Sequence, residues 1–207
     1  MLLKENFSVV FYGDSVTDTC RFANKDFVYG SGYANMVISH LQTNYMGMNL
    51  KLYNLGVSGN RTCDLIQRIN EVKNVKPDIV FILIGVNDAW RKYDMNDETT
   101  HKQFENNYKT ILNELFKTNP SLKVILLEPF TLPLADWVVQ IREDLDPKIE
   151  IVNKIAKEYN LDLIPLDKIF KENAKIIDQE RLSIDGIHPT ILGHALIAEQ
   201  IINKLMK

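Results

Sequence analysis

Short, predominantly apolar runs recur along the chain at 7–12, 50–55, 79–84, 124–127 and 161–165. The stretch "DIVFILIG", residues 78–85, has no polar position between Ile79 and Gly85, which is the pattern of a strand covered on both faces. Between these runs, apolar residues return every three or four positions over 32–45, 62–73, 100–118, 146–159 and 191–206. In the last segment Ile191, Leu192, Ala195, Ala198, Ile202 and Leu205 share one face of a helix. Strands alternating with helices of a dozen or more residues predict parallel βαβ units joined by right-handed crossovers. No repeat, low-complexity tract or linker interrupts the pattern, so residues 1–207 read as a single three-layer α/β/α domain.

An open parallel sheet binds its ligands beyond the carboxyl ends of its strands. The segments there are polar and specific: Gly13-Asp14-Ser15 after the first run, "NLGVSGNRT" at 54–62, "GVNDAWR" at 85–91 and "DGIHP" at 185–189 before the last helix. Taken singly, each has an ordinary reading. Gly-Asp-Ser is a turn, Asp88 caps a helix, Gly59 relieves a left-handed bend, and His188 belongs to a surface loop. Together they supply the parts of a nucleophilic site. Ser15 offers a hydroxyl at a sharp turn entering a short helix, where its own N–H faces an oxyanion. His188 can take the hydroxyl proton, and Asp185, separated from it by Gly186 and Ile187, can orient the imidazole. Pro189 then begins the final helix. The Gly59 N–H and the Asn87 side-chain amide complete, with the Ser15 N–H, three donors for a tetrahedral intermediate. Trp90 and Arg91 follow Asn87 and are expected at the mouth of the same site, with Asp14, as substrate-contacting residues; the alternative for Trp90 is burial in the core. His40 and His101 lie inside expected helices, and His194 reads as a packing residue of the last one.

Composition narrows the field further. A net charge of −3 over 207 residues leaves no basic surface for nucleic acid. No apolar run approaches the ~20 residues of a membrane span. Lys4 and Glu5 interrupt the apolar start, and Ser15 follows too soon to leave room for a signal peptide, so a cytoplasmic protein is expected. Cys20 and Cys63 form neither a disulfide framework nor a zinc spacing, and Asp185, His188 and His194 match no strong metal-ligand pattern, so no metal is expected. Self-association is left open.

The four segments, in this order, resemble the conserved blocks of the SGNH hydrolases, also called GDSL esterases and lipases. Ser15, Gly59, Asn87 and His188 match the four letters of that name, and Asp185 matches the usual acid. The resemblance implies a flavodoxin-like sheet of five parallel strands in the order 2-1-3-4-5, no cofactor, and ester hydrolysis through an acyl-enzyme on Ser15. The longer strings "GDSVTDTCR", "GSGYANMV" and "NLGVSGNRTCDL" are similar to small bacterial esterases that deacetylate carbohydrates, acetylxylan esterases among them. The implied partner is a small acetylated sugar. Within the same chemistry the rivals are a lysophospholipase or a thioesterase. Outside it they are a non-catalytic carbohydrate-binding domain and a receiver-like phosphoryl-transfer protein using Asp14 or Asp18. The last lacks a phosphate-binding glycine loop.

Overall fold

The computed structural model describes residues 3–21 and 28–206. The apolar runs form five parallel strands: β1 (Ser8–Gly13), β2 (Lys51–Gly56), β3 (Ile79–Leu83), β4 (Lys123–Leu127) and β5 (Asp162–Ile164). Their order is β2-β1-β3-β4-β5, as the family resemblance implies. Alternation along each strand divides the core in two. Val9 and Phe11 of β1 face one side with Ile79, Phe81 and Ile125. Val10 and Tyr12 face the other with Val80, Ile82 and Leu126. The first side is covered by α2 (Tyr33–Asn44), α8 (Leu166–Asn173) and α9 (Ile191–Met206). The second is covered by α3 (Thr62–Gln67), α4 (Ile69–Val75), α6 (His101–Thr118) and the C-terminal half of α7 (Asp136–Glu158). With both faces buried, the central strands have no polar alternation to display.

The helices depart from the expected bounds in three places. The segment expected as one helix over 62–73 breaks at Arg68, whose φ of −107° and ψ of 18° separate α3 from α4. The helix expected to start at residue 146 begins ten residues earlier at Asp136, with Pro147 in its interior. A proline ordinarily stops a helix because it lacks the N–H and crowds the preceding turn. Here Val138, Ile141, Leu145 and Ile149 present a continuous apolar face to Val86, Ala89 and Ile187, and packing outweighs the lost hydrogen bond. Third, α5 (Val86–Asp94) and α8 escaped the periodic reading. In α5 the buried side includes Asn87 and Asp88, which a hydrophobic pattern counts as exposed.

Register fixes what the sheet presents at its carboxyl edge. Gly13 of β1 pairs with Gly56 of β2 and with Leu83 of β3, so the three strands end level. The chain leaves β1 toward β2 on one side and returns across it to β3 on the other. This is the reversal point at which open α/β sheets place their ligands.

Candidate active site

Immediately past β1, Asp14 caps the four-residue helix α1 (Ser15–Asp18), its Oδ1 accepting from the Val16 N–H at 3.0 Å. Ser15 is thereby held at the first helical position, where its backbone N–H has no acceptor among the described residues. Asp14 itself is buried, and burial pushes its carboxyl up to about 7. The sequence places Asp14 at the substrate; in the structure its side chain is buried and caps the turn that carries Ser15.

Ser15 Oγ lies 3.0 Å from His188 Nε2, and His188 Nδ1 lies 2.7 Å from Asp185 Oδ2. The second carboxylate oxygen, Oδ1, accepts the N–H groups of Ile187 and His188, each at 2.8 Å. Burial alone would raise the Asp185 pKa, but the imidazole and these two N–H groups hold it down to about 2. In return, the hydrogen bond that His188 donates to Asp185 raises the His188 pKa against the opposing effect of burial. Because the ionised Asp185 carboxylate can only accept, Nδ1 carries the imidazole hydrogen, leaving the Nε2 lone pair facing Ser15.

The loop holding this pair is pinned at several points. Ser183 Oγ donates to the His188 carbonyl and accepts from the Gly186 N–H, and the Gly186 carbonyl accepts from the Leu132 N–H at 2.8 Å. Gly186 has φ +95°, and a Cβ there would lie 2.4 Å from the Leu132 carbonyl oxygen. Pro189 does not begin the final helix. It forms an isolated antiparallel bridge with Ser183, and Thr190 caps α9 through the Gly193 N–H. The helix start moves two residues on because the loop uses Pro189 to close on itself.

On the other flank, Gly59 has φ +82° and its N–H has no acceptor among the described residues. Asn87, on the first turn of α5, is buried and donates from Nδ2 to the Asn60 carbonyl at 3.0 Å while its Oδ1 accepts from Arg91 at 3.2 Å. This sets the amide: Oδ1 faces the guanidinium, and the second Nδ2 hydrogen remains to donate elsewhere. Asp88 accepts the N–H and hydroxyl of Thr62, fastening the 59–62 loop to α5. Desolvation drives the Asp88 pKa up to about 6 against those hydrogen bonds.

Three supports were not legible beforehand. Arg68 stacks 4.5 Å over the Tyr12 ring and donates to the carbonyls of Gly13 and Leu55 and to Asn60 Oδ1. Asn54 donates to the carbonyls of Thr17 and Tyr29 and accepts from the Gly56 N–H. Asp18 accepts both the N–H and the hydroxyl of Ser58, tying α1 to the segment that carries Gly59. No periodicity marks such residues, since each spans loops distant in the chain.

A cavity of about 500 Å³ opens beside Ser15 and His188, walled by Thr19, Ser31, Ser58 and His194 with Ile184 and Ile191 at its sides. Neither Trp90 nor Arg91 lines it. Trp90 stacks on Trp137 at 5.0 Å, and the Arg91 guanidinium lies over the Trp90 ring, 4.8 Å from its centroid. Arg91 thus holds Asn87 rather than walling the cavity. Phe130 is buried and stacks on Phe170 at 3.9 Å, away from the cavity lining.

A model of the GDSL-like lipase/acylhydrolase family matches residues 11–196. An acetylxylan esterase from Geobacillus stearothermophilus is 31% identical over 204 residues, spanning 95% of this chain and 93% of that protein. A solved structure of an acetyl xylan esterase from the same organism superposes with a TM-score of 0.86 at 29% identity, over 99% of this chain and 97% of the other. A candidate GDSL-like lipase from Parabacteroides merdae gives a TM-score of 0.90 at 29% identity, over 98% and 97% of the two chains.

Proposed function

The chain belongs to the GDSL-like lipase/acylhydrolase family and is a carboxylic ester hydrolase, and from that premise we propose that it removes acetyl groups from carbohydrates through an acyl-enzyme on Ser15. The observation that carries the mechanism is the hydrogen-bonded series Ser15–His188–Asp185 at 3.0 and 2.7 Å. His188 Nε2 takes the hydroxyl proton as Oγ attacks the ester carbonyl carbon, and Asp185 stabilises the imidazolium that results. The carbonyl oxygen becomes an oxyanion that accepts from the N–H groups of Ser15 and Gly59 and from Asn87 Nδ2. As the intermediate collapses, His188 returns its proton to the departing alcohol oxygen. Water then attacks the acyl-enzyme with His188 again as base, releasing acetate and free Ser15.

The acetyl preference is supported by the likeness to acetylxylan esterases and by a cavity whose walls carry the hydroxyls of Thr19, Ser31 and Ser58. A series of 4-nitrophenyl esters and acetylated xylo-oligosaccharides tests it. kcat/KM is expected to be highest for acetyl and to fall steeply beyond butyryl. Equal turnover of octanoyl esters would instead favour a lysophospholipase, with the exposed Ile184 and Ile191 receiving the chain.

Oxyanion donors act only after attack, and losing one typically costs about 10²–10³ in kcat, or about 3–4 kcal/mol. Asn87→Ala is expected to lower kcat by that amount with little change in KM. A defect confined to KM would make Asn87 a ground-state binding group.

The pH profile follows from the pair. Attack needs neutral His188, whose pKa is raised above its ordinary value of 6.5, first by the Asp185 hydrogen bond and further by the Asp185 and Asp14 charges. kcat/KM should therefore rise with pH along a limb centred above 6.5. Asp185→Asn removes the main upward push, so the limb is expected to move to lower pH while the plateau falls. A limb that stays in place would separate the activity from this histidine.

A further inference from the structure

His194 occupies a position the mechanism does not use. It stands on the second turn of α9, its ring buried and stacked on Tyr33 with centroids 6.3 Å apart. Its Nδ1 lies 3.2 Å from the backbone N–H of Tyr33. A backbone amide can only donate, so Nδ1 must carry the lone pair, and the ring's single hydrogen sits on Nε2. The Cε1–Nδ1 edge fills the space over Gly32, where a Cβ would lie 2.7 Å from Cε1. Nε2–H has no acceptor among the described residues, yet His194 walls the same cavity as Ser15 and His188. A donor without a protein partner at the wall of an open cavity is available to whatever enters.

We propose that His194 Nε2–H is a fixed, neutral hydrogen-bond donor to a hydroxyl or ether oxygen of the alcohol portion of the ester, and so sets the enzyme's preference for polyol esters. The cavity lies on the His188 side of Ser15, and His188 must reach the departing alcohol oxygen to protonate it. The alcohol therefore extends along this wall while the carbonyl oxygen turns toward Gly59 and Asn87. Burial, with the neighbouring His188, holds the His194 pKa down to about 4, so the ring stays a donor rather than competing as a second base. The hydroxyls of Thr19 and Ser31 on the same wall suit the same kind of oxygen-rich ligand. This assignment rests on the ester-hydrolase reading with Ser15 as nucleophile, and it specifies which part of the substrate the cavity reads.

The test compares hydroxyl-bearing esters, an acetylated xylo-oligosaccharide and glycerol monoacetate, with 4-nitrophenyl acetate, whose alcohol has no hydroxyl to offer. In His194→Phe the ratio of kcat/KM for the polyol esters to that for 4-nitrophenyl acetate should fall about 5-fold, the effect of one neutral hydrogen bond, and chiefly through KM. His194→Gln, which keeps an acceptor for Tyr33 and a donor beyond it, should recover most of the ratio. Nitrogen NMR of the unmodified protein should find His194 protonated at Nε2 alone from pH 5 to 8, with that signal shifting when xylobiose is added. An unchanged ratio in His194→Phe marks a purely structural residue and overturns the proposal. A proton on Nδ1, or no shift with xylobiose or glycerol, overturns it without reference to any variant that fails to fold. If 4-nitrophenyl acetate and glycerol monoacetate are hydrolysed but the acetylated sugar is not, the carbohydrate reading fails while the ratio on glycerol monoacetate still decides the role of His194.

Discussion

Ser15→Ala should fold as the parent does and lose about 10⁶ in kcat, with no covalent adduct after treatment with a fluorophosphonate. The magnitude is that of nucleophile loss in a serine–histidine–acid system, where the residues act as a unit. Oγ makes one hydrogen bond, to His188, and removing it leaves a small gap at a half-exposed position, so the fold has little to lose. The unit behaviour supplies a sharper check. His188→Ala should be nearly as slow, and the double variant no slower than either single one, because each change already idles the other residue. Additive losses would mean that Ser15 and His188 serve separate steps. An adduct on Ser31 or Ser58, which share the cavity wall, would move the nucleophile elsewhere.

A large effect on both stability and rate is expected from a residue with no side chain. Gly186→Ala puts a methyl group 2.4 Å from the Leu132 carbonyl oxygen, at a φ of +95°. Left-handed backbone alone costs an L-residue about 1–2 kcal/mol, and the contact forces the loop from its seat on Leu132. For a domain of this size a loss of about 2 kcal/mol lowers Tm by about 4–8 °C. The greater consequence is for rate. Asp185 and His188 sit on either side of Gly186, and a displacement of about 1 Å costs about 10² in turnover. Calorimetry and 4-nitrophenyl acetate kinetics on the same sample check both figures. A variant with parental Tm and rate would show that the loop relaxes freely, and that its hydrogen bonds do not position the pair.

Much of this site could be read from the chain because its parts fall just after strand ends. Ser15, Gly59 and Asn87 each follow the end of a strand within four residues, and Asp185 and His188 are near neighbours before the final helix. Position on the sheet edge therefore substituted for knowledge of contacts. The supports were opaque for the opposite reason. Arg68, Asn54 and Asp18 act on backbone groups in other loops, and nothing in their local sequence distinguishes them from solvated polar residues. Trp90 and Arg91 show the limit from another side. Adjacency to Asn87 predicts nearness, but the helical turn of α5 directs Trp90 onto Trp137 and Arg91 back onto Asn87. The first half of α7 was lost to Pro147, where a local rule yielded to packing at Val138, Ile141 and Leu145.

The Arg68 guanidinium has a consequence for how such an enzyme can diversify. By binding Gly13, Leu55 and Asn60 at once, and through Asn60 touching the amide of Asn87, it makes the rim that stabilises charge a single shared part. A change that helps one donor is transmitted to the others, so these loops are poor places for variation to accumulate. The opposite wall is built differently. Ile184 and Ile191 project into solvent beside the cavity, and a substitution there disturbs little else. New substrates are thus most accessible by altering that wall one residue at a time, while the reaction itself is inherited whole.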